Sequence, residues 1–293
     1  MLDLFFQMPE SFLVIFFILF SIICIFISRL LTTELDNSIQ YQAPELTSLT
    51  PFEMAALRDG RKGIIHTALF SFWQHQRITT SGKMQEAKIS SISSKPPQNE
   101  FEQILFSFIA QKTRSPAEFF ENTSLHEQLD KAIEPLNQKL EQWHLKKTPL
   151  QLQQTKKVLW VTRFLIWLIG ATLFFIGVIG ANLLELEFSL FSGNSEELVA
   201  IIILFLLIAF IATLVLNSQR NTQLGQQYLE ELTQYYQQLK VQQFTPPGLI
   251  QLVAILGVDG LTDIDACSPF REAFSGTNCA GNTMCGGCGG CGG

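Results

Sequence analysis

The stretch SFLVIFFILFSIICIFIS, from Ser11 to Ser28, is a continuous run without a charged residue. As a helix at about 1.5 Å per residue it reaches roughly 27 Å, close to the thickness of the hydrocarbon core of a bilayer. Two more uncharged blocks of similar length follow, Phe164–Leu184 and Leu198–Leu216. None of the three has the polar face at helical period that a half-buried helix of a soluble protein shows. The sequence therefore predicts three transmembrane helices.

The composition of the whole chain agrees with a membrane protein. Of its 293 residues, 47% are hydrophobic and 16% are charged, whereas about 25% of the residues of an average soluble protein are charged. The 26 Asp and Glu residues outnumber the 20 Lys and Arg residues, which gives a formal net charge of −6. Because nucleic-acid phosphates are bound by a surplus of cations, this balance excludes a strongly basic nucleic-acid-binding protein.

The first block has an alternative interpretation as a cleaved signal peptide. Such a peptide needs a basic stretch before the apolar run and small residues at its cleavage site. Asp3 and Glu10 precede the block without any Lys or Arg, and Leu30 and Leu31 follow it. These residues favour an uncleaved membrane anchor.

Basic residues flank the three blocks in a way that predicts their orientation. Five lie at or just before the start of the second block, and Arg29 and Arg220 follow the first and the third, whereas the linker 185–197 holds four Glu and no cation. The positive-inside rule then places the N-terminus outside, residues 32–157 inside, the linker outside and the C-terminus inside the cell. The five are Lys146, Lys147, Lys156, Lys157 and Arg163, of which we expect Arg163 to snorkel to the inner interface.

Three segments of the middle region share one helix-start pattern. In each, a hydroxyl residue is followed by proline and, three positions on, by Glu or Gln, which is the arrangement of a capping box. The three segments are Thr50-Pro51-Phe52-Glu53, Ser115-Pro116-Ala117-Glu118 and Thr148-Pro149-Leu150-Gln151. The third start predicts a helix that runs from Pro149 without interruption into the second block.

The order helix, helix, hairpin follows the first cap. We expect a short helix to about Arg58, a helix over Lys62–Gln76, and a hairpin from strands near 77–80 and 84–92. This order is typical of a winged-helix unit. The helix Lys62–Gln76 offers few side chains that could read a DNA groove, so we expect a protein-binding or scaffold role and no nucleic-acid partner.

The predicted domains follow from these elements. A winged-helix-like region over 49–148 is expected to hold two units, and the second unit carries helices near 101–111, 116–122 and 125–143, with Pro135 kinking or starting the last one. The full division is a transmembrane anchor over 1–31, a linker over 32–48, the winged-helix-like region with units 49–94 and 100–148, a transmembrane hairpin over 149–216, a helical segment over 217–274, and a tail over 275–293. The predicted fold class is mainly α, integral to the membrane, with a small α+β region inside the cell.

Two helix faces predict packing partners. Gly170, Gly177 and Ala181 share one face of the second block, and the pair Gly177/Ala181 makes a small-xxx-small motif that lets another helix approach closely. Since the short linker 185–197 joins the second block to the third, the third is the expected neighbour, and a second copy of the chain is the alternative. After the third block, an apolar stripe is expected on a helix that extends to about Gln243; its residues are Tyr228, Leu232, Tyr235 and Leu239.

A second, short apolar helix is predicted from Leu249 to Leu256, ending at Gly257. It is too short to span a bilayer, so we expect it to dock on a protein surface or on the inner membrane face. The histidines show no metal-ligand spacing and no nucleophile partner and are predicted to be ordinary amphipathic or surface residues; they are His66, His75, His126 and His144.

The tail CAGNTMCGGCGGCGG carries four cysteines, Cys279, Cys285, Cys288 and Cys291. Thiolates separated by two residues can converge on one soft or borderline metal ion, and glycine permits the tight turns between them. The tail is thus a candidate site for Zn²⁺ or another thiolate-binding metal. The alternatives are a disordered extension with free thiols and, if the orientation is reversed, disulfides.

Several features together resemble an uncharacterised family of bacterial membrane proteins. They are the segment LTPFEMAALRDG at Leu49–Gly60 followed by an apolar helix, the paired spans, the segment Leu249–Leu261, and the Cys/Gly-rich end. The resemblance covers most of residues 49–293. It implies a location in the bacterial inner membrane and brings no catalytic activity with it.

The sequence contains no phosphate loop, nucleophile elbow or zinc-protease motif. We therefore expect a non-enzymatic membrane protein whose partners are the lipid bilayer and either another protein or a second copy of the chain. The first alternative is a metal-binding or metal-handling protein that acts through the tail. The next is a membrane-tethered regulator or a membrane enzyme.

Overall fold

The computed structural model describes residues 10–82, 86–92, 97, 99–183, 220–240 and 246–274. The chain divides into two compact units, one of residues 1–40 and 147–223 and the other of residues 41–146 and 224–293. The described part of the second unit, which lies within residues 41–146 and 224–274, is called the core domain below. Mainly helical structure with one small sheet, as predicted, is confirmed.

Ten α-helices and two strands are described. In chain order they are α1 (Glu10–Glu34), α2 (Pro51–Asp59), α3 (Arg61–Gln74), β1 (Ile78–Ser81), β2 (Lys88–Ser91), α4 (Glu100–Gln111), α5 (Glu118–Glu121), α6 (Thr123–Gln142), α7 (Pro149–Leu183), α8 (Gln223–Lys240), α9 (Pro246–Leu256) and α10 (Ser268–Phe274). The predicted order of helix, helix and hairpin is present in α2, α3 and the pair β1–β2. The strands pair antiparallel, with Ile78 opposite Ser91.

In the first unit, α1 and α7 form an antiparallel helix pair. The ring of Phe17, near the start of α1, lies beside Gly170, where an added Cβ would come within 3.3 Å of it. The seam between the helices repeats at alternating spacings of four and three residues, which is the knobs-into-holes pattern of a left-handed coiled coil. Its residues are Phe17, Ser21, Cys24 and Ser28 on α1 and Thr155, Leu159, Thr162 and Ile166 on α7.

The described structure places α1 beside Gly170, while the predicted contact of the Gly177/Ala181 pair with the third span stays a prediction. Gly170 packs on Phe17 of α1, because a residue without a side chain leaves room for an aromatic ring at that level of the seam. Gly177 and Ala181 lie in α7, but the packing around that stretch of the helix is outside the described part. The predicted third span, residues 198–216, also lies outside the described residues.

Helix α7 begins and continues as the sequence predicts. Thr148 Oγ1 accepts a hydrogen bond from the Gln151 backbone N–H at 3.3 Å, and Gln151 Oε1 accepts one from the Thr148 N–H at 3.0 Å. This complete capping box starts a helix of 35 residues.

Within the described residues, one stretch, residues 15–40, is long and apolar enough by itself to cross a membrane.

Two hydrogen-bonded contacts join three chain segments of the first unit near Asp36. The first is made by the Asp36 side chain. Its carboxylate accepts hydrogen bonds from the backbone N–H of Ser38 at 3.2 Å and of Gln223 at 2.7 Å. The N–H of Lys147 donates to the carbonyl oxygen of Arg220 at 3.0 Å. The chain that leaves along α7 therefore returns to the place where α7 began.

In the core domain, α2 begins with a complete capping box. Thr50 Oγ1 accepts from the Glu53 N–H at 3.4 Å, and Glu53 Oε2 accepts from the Thr50 N–H at 2.8 Å. The helix ends at Gly60, whose φ of 61° suits glycine. Gly63 lets α3 pack tightly on α2, because a Cβ there would overlap the carbonyl oxygen of Ala55.

Helix α3 lies in the middle of the core domain and is buried on every face. All residues from Gly63 to Phe70, and Phe72, are buried. Helices α2, α4, α6 and α9 and strand β1 surround it, and Phe270 of α10 meets Phe70 edge to face at 5.2 Å. The core of the domain is thus built around one helix rather than between two layers.

The segment after residue 224 completes this core. Leu252, Val253 and Ala254 of α9 are fully buried, and α9 packs on α2 and α3. The sequence treats 217–274 as a segment separate from 49–148, whereas the structure packs both into one cluster of buried side chains. The surface on which α9 docks belongs to this same chain.

The structure corrects one finer prediction and decides part of another. The apolar stripe of α8 runs through Tyr228, Leu232 and Tyr236, which are buried, while Tyr235 is exposed. Pro135 lies inside α6, which begins at Thr123 with Asn122 as its cap. This excludes one of the two predicted alternatives, that Pro135 starts the helix, and the other, a kink at Pro135, stays a prediction.

Candidate functional site

The predicted metal ligands Cys279, Cys285, Cys288 and Cys291 lie outside the described residues. Among the residues that the structure does describe, no group of three or more His, Cys, Asp or Glu side chains is placed to hold a metal ion. Cys267 is buried in the core domain, and burial raises the pKa of its thiol. A thiol held protonated is a poor nucleophile and a poor ligand, so Cys267 has a packing role.

Three of the four histidines lie at or near helix ends and make one contact each. His75 Nδ1 lies 2.7 Å from the Ser71 carbonyl oxygen, His126 Nε2 lies 3.0 Å from that of Phe119, and the ring of His144 stacks on Tyr41 at 3.6 Å. Within the described part of the chain, none of the three belongs to a metal-ligand cluster. His75 is exposed, and His126 and His144 are partly buried.

His66 differs from the other three because it lies inside the core. Its ring is 4.9 Å from that of Phe120 and meets Phe274 edge to face at 6.0 Å. Desolvation, followed by the positive charges of Arg58 and Lys62, lowers the pKa of His66 to about 3. The imidazole is therefore neutral at physiological pH and contributes to packing.

The helix that would read DNA in a winged-helix protein is not available at the surface. That helix corresponds to α3, and its side chains from Gly63 to Phe70 are buried among the other helices. A recognition helix must insert exposed side chains into the major groove. Within α3, the residues that keep some exposure lie near its two ends, as Arg61 and Gln74 do.

Two charged contacts hold the core domain together across long chain separations. Lys139 of α6 donates to the buried Glu53 carboxylate at 2.6 Å and lies 4.6 Å from the centre of the Trp143 ring. Arg58 donates to the carbonyl oxygens of Val253 and Ala254, near the C-terminal end of α9. The sequence singles out Thr50 and Glu53 by their spacing, but no local pattern identifies Lys139 or Arg58.

The fold gives structural roles to many residues of the LTPFEMAALRDG segment. It supplies a capping box, one partner of an ion pair, a run of buried residues from Met54 to Leu57, and the arginine that meets α9. These residues contact other parts of the core domain. The segment therefore has the properties of a packing centre of the core domain.

The largest exposed apolar surface of the described residues belongs to the helix pair. Side chains with roughly half of their surface exposed lie along both helices, and monomeric soluble proteins rarely expose apolar surface so continuously. On α1 they are Ile15, Phe16, Leu19, Ile22, Ile23, Phe26, Ile27, Leu30 and Leu31, and on α7 they are Leu150, Trp160, Val161, Phe164, Leu165, Trp167 and Leu168. This surface is the candidate site of interaction with lipid.

Comparison of the chain with models of known protein families, with curated proteins and with solved structures finds no match. The class of protein is therefore defined by its own geometry. It is a helical protein with a helix pair whose outer surface is apolar and with a core domain assembled from two separated stretches of chain.

Proposed function

We propose that this chain is a three-span membrane protein of the bacterial inner membrane that holds its core domain on the cytoplasmic side. The observation that carries the proposal is the helix pair, because its apolar side chains point away from the seam along both helices. A lipid environment removes that surface from water without requiring a second protein.

The return of the chain supports the third span. Helix α7 has 35 residues and is about 50 Å long at 1.5 Å per residue. The chain nevertheless reaches Arg220 beside Lys147, where α7 starts. If α7 crosses the bilayer, the residues between 184 and 219 must cross it again, and 198–216 is the uncharged stretch among them.

The charges of the helix pair support the orientation. Because the pair is antiparallel, Arg29 near the end of α1 and Lys156 and Lys157 near the start of α7 come to the same end. The described residues at the opposite end include Glu10 and no Lys or Arg. The positive-inside rule assigns the basic end to the cytoplasm.

Fusion reporters test this topology. A reporter fused after Gln243 is expected to be active as a cytoplasmic protein, and one inserted near Gly193 as an external protein. Alkaline carbonate should leave the full chain in the membrane pellet. The opposite pair of reporter results, or release of the chain by carbonate, contradicts the proposal.

For the core domain we propose binding of a protein partner rather than catalysis. What supports this is the use of its charged and hydroxyl side chains in caps and inter-helix contacts, as Thr50, Glu53 and Arg58 illustrate. The test is purification of the full chain from native membranes through a tag near Gly193, which leaves the domain unmodified. A protein retained at near-equal amounts by the full chain, and lost when the domain is deleted, is the expected result.

The same purification addresses the alternative function. If the full chain carries a soft metal and no protein partner, and if the metal is lost when residues 275–293 are removed, metal handling through the tail replaces the scaffold proposal. The sequence observation in its favour is the run of four cysteines from Cys279 to Cys291 among glycines.

A further inference from the structure

One ridge of α7, a row of exposed side chains four residues apart, changes from charged to apolar along its length. Lys156, Trp160, Phe164 and Leu168 follow one another at intervals of four residues, so they lie on one side of the helix. All four are exposed, Trp160 to 65% and Phe164 to 51%, and the Trp160 and Phe164 rings are nearly parallel at 5.6 Å. The ridge therefore passes from a cation through an amphipathic indole to purely apolar side chains.

This order matches one leaflet of a phospholipid bilayer. Lysine suits the level of the phosphates, tryptophan favours the interface, and phenylalanine and leucine suit the acyl chains. From Lys156 to Leu168 the helix rises about 18 Å, which is comparable to a leaflet with its headgroups. The ridge is long enough to lie along a single lipid molecule.

Lys156, which begins the ridge, and Lys157 beside it have no acidic neighbours on their own helix. The sequence of α7 contains neither Asp nor Glu. Within the described part of the chain, neither Lys156 nor Lys157 forms an ion pair. Their positive charge is thus not neutralised by the described protein.

Arg29 adds a third positive charge at the same height. Phe17 of α1 lies beside Gly170 of α7. Counted from this contact, Arg29 follows Phe17 by as many positions as Val158 precedes Gly170. In an antiparallel pair these equal steps bring Arg29 to the level of Val158, next to Lys157. Three cations therefore lie within about one helical turn along the axis of the pair.

We propose that this ridge, with Lys157 beside it, binds an anionic phospholipid of the inner leaflet. Lys156 and Lys157 contact the headgroup phosphate, Trp160 lies at the glycerol level, and Phe164 and Leu168 contact an acyl chain. Arg29 adds to the positive potential that selects an anionic headgroup. The proposal depends on the proposed membrane location of the helix pair.

The test uses tryptophan quenching in the full chain. The chain has four Trp residues, of which Trp160 and Trp167 lie on α7 and Trp73 and Trp143 in the core domain. The protein is reconstituted into phosphatidylcholine vesicles in which one tenth of the lipid carries brominated acyl chains, as phosphatidylglycerol or as phosphatidylcholine. If the anionic lipid is enriched at the ridge, brominated phosphatidylglycerol should quench the tryptophan fluorescence about twofold more efficiently than brominated phosphatidylcholine.

Matched variants assign the enrichment to the ridge. In Lys156→Gln/Lys157→Gln the ratio of the two quenching efficiencies should fall to one, and in Lys156→Arg/Lys157→Arg it should persist. The control Lys88→Gln/Lys131→Gln removes the same charge from exposed positions of the core domain and should keep the ratio of the unmodified protein.

The outcomes separate this proposal from the membrane location. If neither brominated lipid quenches, the helix pair is not in the bilayer and both proposals fail. If both quench equally in the unmodified protein, or if the Gln variant keeps the higher ratio, only the lipid site is refuted. Inorganic phosphate should lower the ratio no more than chloride at equal ionic strength, and a larger effect would assign the site to a free anion instead.

Discussion

The guanidinium of Arg58 donates a 2.6 Å hydrogen bond to the carbonyl oxygen of Val253, a residue 195 positions later in the chain. The same Nη1 atom also reaches the carbonyl oxygen of Ala254 at 2.9 Å. These carbonyls belong to the last turn of α9, where a positive charge is favourable; that of Val253 also accepts from the Gly257 backbone N–H at 2.9 Å. Arg58 thus links α2, the first helix of the core domain, to α9 in its C-terminal part.

We predict that the core domain folds without the first unit. Leu145 and Gly225 are in direct contact, since a Cβ on Gly225 would overlap the Leu145 carbonyl oxygen. Residues 147–223 can therefore be replaced by a short glycine linker. The resulting soluble protein, residues 41–146 joined to 224–274, should unfold cooperatively in urea when followed by circular dichroism.

Residues 45–148 alone are expected not to fold into a stable domain. Without α9 and α10, the buried faces of α2 and α3 would be open to water, and that loss of apolar burial removes much of the driving force. A cooperative transition of the 45–148 protein at the midpoint of the joined protein would show that the C-terminal segment is dispensable.

Replacement of Arg58 should weaken the joined domain. Arg58→Gln removes a charged donor from two carbonyl groups, and we expect the free energy of unfolding to fall by about 1.5–3 kcal/mol. The control is Arg61→Gln, which breaks the exposed ion pair with Asp130 and should cost less than about 1 kcal/mol. Equal losses in urea titrations of the two variants would contradict the role assigned to Arg58.

Loss of the Thr50 cap should also be measurable. Thr50→Ala removes the acceptor of the Glu53 N–H and is expected to cost about 0.5–2 kcal/mol. Thr50→Ser keeps the hydroxyl and is the matched control. If both variants have the urea midpoint of the unmodified domain, the capping box does not contribute to stability.

Acid should destabilise the domain through His66. Its pKa is lowered to about 3 in the folded state and is near 6.5 in the unfolded chain, so between these values only the unfolded state binds the proton. The contribution of His66 to stability is complete above pH 6.5 and should fall as the pH decreases toward 3, by about 3–5 kcal/mol.

The variant His66→Leu isolates this effect. Its free energy of unfolding should depend less steeply on pH between 6.5 and 4 than that of the unmodified domain. His75→Gln alters an exposed imidazole and should leave the slope unchanged. An unchanged slope in His66→Leu would mean that the imidazole is hydrated or protonated in the folded state.

A peptide of residues 275–293 should bind one soft or borderline metal ion through its four cysteines. Zinc bound to small peptides contributes about 10–16 kcal/mol, which can exceed the entropy cost of ordering roughly a dozen residues at ~1–2 kcal/mol each only if the ligand set is complete. Cobalt should give the absorption of tetrahedral thiolate coordination, and Cys279→Ser should weaken binding. Absence of that band, or unchanged affinity in Cys279→Ser, would refute the four-ligand site.

Local sequence patterns predicted two of the three helix starts. Thr50 and Thr148 form the reciprocal hydrogen bonds that their spacing from Glu53 and Gln151 implies. At the remaining start, the Ser115 N–H donates to Glu118 at 3.0 Å, but α5 begins only at Glu118, with Ala117 as its N-cap and without a side-chain cap bond, so that prediction is wrong. Caps are predictable because both partners are three residues apart, so the chain brings them together whenever the helix forms.

Contacts between distant segments could not be predicted in this way. The sequence predicts that α9 is a short apolar helix that packs on some surface. The hydrophobic effect is not directional, so the sequence does not specify which surface α9 uses. It also offers Gly170 as a small residue suited to close packing, without showing that the ring of Phe17 would fill the space.

The sequence by itself determined the apolar blocks, two of the three helix starts and the charge difference across the blocks, since these depend on residues that are neighbours in the chain. Only the tertiary structure decided that α3 lies at the centre of the core domain and that residues 224–274 complete it. The physical reason is that burial of α3 on all faces requires surfaces from both ends of the chain. Asp36, which accepts from Gln223, and Arg58, which donates to Val253, acquire their roles when those distant segments meet.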